Sequence, residues 1–187
     1  RNPVDFVVML LWEVTIQALH TLLSSVFCAR RKEAPPEAEL LACRLFSRLA
    51  HGYWYVRDRF RVLWAHLRGM NTAERYLPTL ELAQAYSEHA PAMTLIGFFH
   101  RGIIYSEKSL AIRRAMGDLW GQGQTLNFYA ILLLAASRYS ECVEKARESI
   151  RLLQRTGDYW ELNMARYQMG AALNRLGDLR GTLEQAQ

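Results

Sequence analysis

The stretch "RRAMGDLWGQGQ" (113–124) returns forty residues later as "LQRTGDYWELNM" (153–164), so that Gly117-Asp118-x-Trp120 is followed by Gly157-Asp158-x-Trp160. A fixed period of about 20–50 residues marks an array in which each unit buries its apolar face against its neighbours. The repeated grammar is a helix stop followed by a helix start. Glycine reaches the left-handed conformation that closes a helix without steric cost. The aspartate side chain then accepts backbone N–H groups of the helix that follows. Glu161 lies three residues after Asp158 and makes a capping box, whereas Asp118 has Gly121 there and lacks one. Trp120 and Trp160 fall in the first turn of the new helices, where a large ring is expected to wedge between neighbouring hairpins.

The pattern predicts amphipathic helices over 119–136 and 159–176, polar breaks at "SRYS" and "GDLR", and second helices over 139–156 and from 179 onward. This helix–turn–helix unit resembles the tetratricopeptide repeat. In the last unit Gly170 occupies the family's small-residue site, Leu173 the apolar site, and Gly177-Asp178 the turn between helices. In the unit before, Ala130, Leu133 and Tyr139 take the first small site, the apolar site and the start of the second helix. Cys142, Ala146 and Ser149 fill the small sites of that second helix. The chain departs from the family in its period of forty residues and in Gln154, which stands where a proline usually closes a unit. HEAT and armadillo arrays also have units of about 40 residues, but the order of small and apolar positions fits tetratricopeptide repeats better.

Upstream, "FFHRGIIYSEKSLAIRRAMGD" (98–118) aligns with the second-helix segment ending at 158, placing Ser109 opposite Ser149 and Leu110 opposite Ile150. Its partner helix is expected over 77–90, with Pro91 in the first turn of the next helix. Ala73 and Pro78, five apart, match the family's second-helix ending, and the partner of that helix is expected over 37–53. The resemblance thus implies an all-α, right-handed α-solenoid of antiparallel hairpins, about three and a half of them, over residues 33–187. Residues 1–32 form an N-terminal amphipathic helix and linker, with Pro35 and Pro36 starting the first hairpin. The composition agrees with a folded helical chain: 187 residues, half of them hydrophobic and 22% charged, with five prolines and eleven glycines. Beginning on Arg1 and ending in "GTLEQAQ", it reads as a piece of a larger protein.

Residues 4–27 ("VDFVVMLLWEVTIQALHTLLSSVF") are apolar enough to raise a membrane-spanning reading, with "CARRK" behind them as a stop-transfer flank. On a helical wheel, however, Asp5, Glu13, Gln17, His20 and Ser24 gather on one side, and Val4, Val8, Leu11, Leu22 and Val26 on the other. Two carboxylates at mid-depth cost several kcal/mol in a bilayer. The expectation is therefore no membrane span, but a long helix packed by its Val/Leu face on protein.

Motifs that carry chemistry are absent. There is no phosphate-binding loop, dinucleotide fingerprint, His-Glu-x-x-His or nucleophile elbow. The five histidines (20, 51, 66, 89, 100) share no ligand spacing, and His66 takes a small-residue site in a helix. "WGQGQ" does not follow a strand, so its glycines are read as close-packing positions. Tyr53-Trp54-Tyr55 and Phe98-Phe99 are read as core or hairpin residues. Cys28, Cys43 and Cys142 are odd in number and widely spaced, which predicts buried or free thiols in a cytoplasmic, reducing compartment. No cofactor, metal or catalytic residue is expected.

Two candidate binding surfaces remain. Residues 44–75 hold seven arginines, Arg44, Arg48, Arg57, Arg59, Arg61, Arg68 and Arg75, against Asp58 and Glu74. Such a stripe suits nucleic acid or an acidic partner, although only three lysines occur in the chain. Its alternative reading is a set of solvated helix faces and contacts to another domain. The second surface follows from the tetratricopeptide resemblance, which implies a concave groove lined by Gln124, Asn127, Ile131 and Leu134 on one helix. The next helix adds Met164, Tyr167, Asn174 and Arg175. The carboxylate clamp of some family members is incomplete here, because Ile131 fills one clamp position and no lysine is at hand. A peptide or helix suits the groove better.

The stretches "LLWEV", "LAQAYSEHAP" and "SLAIRRAMGDLWGQGQ" also resemble the helical-repeat region of large bacterial signalling ATPases, which join a regulatory ATPase to kinase or cyclase modules. That resemblance implies a non-catalytic interaction or regulatory module of a signalling protein, binding a protein or peptide partner or another domain of the same chain. The alternatives are a nucleic-acid-binding repeat that uses the arginine stripe, and a small-molecule sensor that uses the groove.

Overall fold

The computed structural model describes residues 3–23, 26 and 33–185. Among these residues are nine helices and no strand, in line with the all-α expectation. They are α1 (Pro3–Leu22), α2 (Glu37–Tyr55), α3 (Arg59–Ala73), α4 (Leu80–Thr94), α5 (Phe99–Ala115), α6 (Leu119–Ala135), α7 (Tyr139–Thr156), α8 (Tyr159–Arg175) and α9 (Leu179–Gln185). Cys28, Ser24 and the "ARRK" run lie outside the described residues. The chain divides into two compact units, 1–85 and 86–187, with the boundary inside α4.

The forty-residue period reaches further back than the Gly-Asp signature. Left-handed residues occur at Arg57, Gly97, Ser137 and Gly177, each in the short turn that joins two helices. A second set, Gly117 and Gly157, closes α5 and α7. Asp58, Asp118, Asp158 and Asp178 each accept the backbone N–H three residues on, from Arg61, Gly121, Glu161 and Gly181. The helix breaks expected at Gly117 and Gly157 are therefore present. Asp118 caps its helix as Asp158 does, without a glutamate at the third position. The capping box expected at Asp158 is only half made, since the Glu161 side chain turns away to α6.

In the first unit α2 packs on α3, and α1 packs on α3. Close approach is set at Gly69, where an added Cβ would stand 3.0 Å from the Phe46 Cβ. Buried Met70, Leu63, Leu67, Ala65 and Cys43 form the interior. His66 is buried among them, as its small-site position predicts.

The orientation of α1 reverses the expectation. Glu13, only 2% exposed, accepts from Arg68 Nη1 at 2.8 Å and from Asn71 Nδ2 at 2.7 Å. Gln17 Nε2 donates to Asn71 Oδ1 and Glu74 Oε2, and His20 Nδ1 meets Glu74 Oε2 at 2.6 Å. The polar side of α1 is thus inside, and Val4, Val7, Val8, Leu11 and Leu22 are exposed. The physical reason is that α3 offers a matching row of polar partners. Each buried polar group of α1 then finds a bond, which removes the usual penalty for burying it.

In the second unit α6 packs on α5, α7 and α8, and α7 packs on α8. The glycines of "WGQGQ" are packing positions, as expected. A Cβ at Gly123 would lie 2.8 Å from the Leu153 Cγ, and one at Gly121 would lie 1.5 Å from Arg113 Nη1. Arg113 is buried and pairs through Nη1 with Asp118 Oδ2 at 2.7 Å. Two further expectations fail here. Pro91 lies inside α4 rather than opening the next helix. Packing of Ala90, Ala92 and Met93, all buried, continues the helix past the proline, and Thr94 Oγ1 donates to its carbonyl at 2.7 Å. The tryptophans do not act as buried wedges, because Trp120 is 37% exposed and Trp160 is 63% exposed. Trp120 instead donates its indole N–H to Asp158 Oδ2 at 2.8 Å, which ties the start of α6 to the start of α8.

Candidate functional site

The residues expected to line a groove separate into two groups. Gln124 and Asn127 on α6 are buried, Asn127 to 1% exposure, and their amides are committed to α8. Gln124 Nε2 donates to Glu161 Oε1 at 3.0 Å and Asn127 Nδ2 to Glu161 Oε2 at 2.8 Å. Glu161 is itself buried. The amide oxygens, Gln124 Oε1 and Asn127 Oδ1, have no hydrogen-bond partner among the described residues. This spot is closed to solvent, so what it does is fasten α8 to α6. Glu161 was missing from the sequence reading of the groove. Its one signal was a carboxylate in the apolar register of the helix, and that was assigned to capping.

The second group is open. Tyr167 is 66% exposed, Asn174 and Arg175 are exposed, and Met164 is half-buried. At 100° per residue, Trp160, Asn163, Tyr167 and Asn174 fall within about 60° of one line along α8. Trp160 and Asn163 join the row without having been singled out as groove residues. Ile131 and Leu134 on α6 are half-buried.

The same register on α6 shows how such a face receives a helix. Trp120, Gly123 and Asn127 stand forty residues before Trp160, Asn163 and Tyr167. On α6 these positions are taken up by the next two helices. Trp120 binds the Asp158 cap, Gly123 lies under Leu153, and Asn127 holds Glu161. Burial pushes the Asp158 carboxyl up, but hydrogen bonds from the Trp120 indole and from the Glu161 and Trp160 backbone outweigh it and hold the group below its ordinary value of 3.8. On α8 the corresponding side chains are exposed.

The arginine stripe is partly consumed by intramolecular pairs. Arg44 bonds Glu81 at 2.7 and 2.9 Å, Arg68 bonds Glu13 at 2.8 Å, Arg61 lies 3.3 Å from Asp58, and Arg75 pairs with Glu39. Arg48, Arg57 and Arg59 are exposed, the last two at the α2–α3 turn. Exposed Tyr55, Val56 and Phe60 share that turn. A cleft in the first unit, between Pro35, Cys43, Tyr76 and Glu81, has a volume of about 10 Å³, far below the roughly 300–1,000 Å³ of ligand pockets. Among the described residues no group of three or more His, Cys, Asp or Glu is placed to hold a metal ion. A scan against protein-family models and a search of the curated proteins both return no match for the chain.

Proposed function

We propose that the chain is a tetratricopeptide-like helical repeat, winding as a right-handed superhelix, that acts as a non-catalytic interaction module in the cytoplasm. The recurrence of left-handed turn residues at 57, 97, 137 and 177 supports the repeat reading. The observation that carries the functional reading is the exposed Trp160–Tyr167–Asn174 row on α8, because its counterpart on α6 is the surface that receives a helix. Exposed Trp and Tyr are the residue types that anchor protein interfaces. The partner is a helix whose acidic cap meets the Trp160 indole and whose apolar side chains cover Met164 and Tyr167. Such a helix fits another segment of a signalling polypeptide or a separate protein equally well.

A helical-peptide display library selected against the chain tests this. Selected peptides should lose binding to a Trp160→Ala/Tyr167→Ala variant and keep it with Arg57→Glu/Arg59→Glu/Arg61→Glu. Salt should weaken them only moderately, because the contacts are apolar and hydrogen-bonded. The rival nucleic-acid reading makes the reverse claim: steeply salt-dependent binding to DNA, lost in the triple glutamate variant. Sub-micromolar DNA binding with that dependence would replace our reading.

A further inference from the structure

Helix α1 carries its least soluble side outward. The arc centred opposite Glu13 includes Val4, Val7, Val8, Leu11, Leu19 and Leu22, all exposed, and no ionisable side chain lies within it. Its one hydroxyl, that of Thr15, donates to the Leu11 carbonyl of its own helix at 2.9 Å; Thr21, at the edge of the arc, donates to the Gln17 carbonyl at 2.7 Å. Hydroxyls satisfied within the helix are what a hydrocarbon environment requires, since it supplies no partner of its own. Trp12 and Asp5 flank the arc, where a side chain would meet the polar boundary.

The polar contacts decide how α1 can meet lipid. Val4–Leu22 is long and apolar enough to cross a membrane. Yet α1 is bound to α3 along its length, from Phe6 against Trp64 to His20 against Glu74. A crossing α1 would therefore drag Arg68, paired with Glu13 at mid-length, and Glu74 into the bilayer, at several kcal/mol for each charge. A surface-lying helix avoids that. The same pairing places the start of α3 beside the start of α1. The α2–α3 turn there joins exposed Tyr55, Val56 and Phe60 with Arg57 and Arg59.

We propose that α1 and the α2–α3 turn form a peripheral docking surface for an anionic lipid bilayer. The Val/Leu arc enters the boundary between headgroups and acyl chains, and the arginines meet the negative headgroups. Apolar burial together with attraction of cations to anionic lipid is the binding mode of interfacial helices.

The test is sedimentation of the 187-residue chain with phosphatidylcholine vesicles, with and without roughly a third phosphatidylserine. The chain should bind the anionic vesicles. Val8→Asp/Leu11→Asp should lower that binding by about tenfold or more, and both sites are exposed, so circular dichroism should be unchanged. Arg57→Glu/Arg59→Glu should weaken binding to anionic vesicles alone. A carbonate wash should release the protein. The proposal is overturned if the wild-type chain stays in the supernatant, if the double aspartate variant binds equally well, or if the wash leaves the protein in the membrane. It is also overturned if light scattering finds a dimer that the aspartates dissolve while no lipid binding occurs, since a second copy would then cover the arc.

Discussion

Gly121→Ala and Gly52→Ala are the same substitution in helix interiors, and they should have opposite effects. At Gly121 the new Cβ would fall 1.5 Å from Arg113 Nη1 and 2.2 Å from Asp118 Oδ2. The guanidinium must therefore leave its buried place beside Asp118, where the pair is 2.7 Å apart. Burial already presses the Arg113 pKa below its usual value, with the Asp118 carboxylate working against that pressure. Breaking a buried pair costs about 3–5 kcal/mol, and alanine returns about 1 kcal/mol of helix propensity. The net is a loss of about 2–4 kcal/mol, or a fall of roughly 5–15 °C in Tm for a chain of this size. Gly52 is exposed in α2 with nothing within 4 Å of its Cβ position, so alanine there should add about 0.5–1 kcal/mol. Thermal melts followed at 222 nm by circular dichroism separate the two. A Gly121→Ala variant that melts at or above the wild-type temperature would refute the packing argument.

Trp120→Phe keeps the ring and removes the bond to Asp158, so it should destabilise by about 0.5–1 kcal/mol at neutral pH. Because the Asp158 carboxyl is held below 3.8, that bond's contribution is complete above this value. The gap between variant and wild type should close as pH falls below it in urea titrations. Ser137→Gly relieves a left-handed residue at φ 59° and should raise stability by about 0.5–1 kcal/mol in the same titrations. Burial pushes the Cys43 thiol up to about 11 and the Cys142 thiol up to about 12. A thiol reagent at pH 8 should therefore reach these two only after unfolding, and rapid native labelling of either would contradict their burial.

The helices were legible because their punctuation is local. Gly97, Gly117, Gly157 and Gly177 advertise left-handed turns, and aspartate caps follow the last three. Arg57 and Ser137 occupy the same conformation with no such sign, so the forty-residue turn period was only partly visible. The wheel of α1 sorted its two sides correctly but could not say which is buried. Apolar burial is the default, and it was overridden by Arg68, Asn71 and Glu74, which lie more than fifty residues away. Pro91 failed for a related reason, since tertiary packing of its neighbours outweighed a local breaker. The resemblance implied a groove lined by Gln124 and Asn127, whereas the structure buries both. That both amides are spent on Glu161 depends on a contact 34–37 residues distant, which no local pattern encodes.

Hydrogen exchange on the chain with and without a selected helical peptide tests the account most directly. The account predicts that new protection concentrates in α8, over Tyr159–Arg175, and disappears in the Trp160→Ala/Tyr167→Ala variant. Protection that falls instead on the α2–α3 turn, or that persists in the variant, would contradict a helix-docking face on α8.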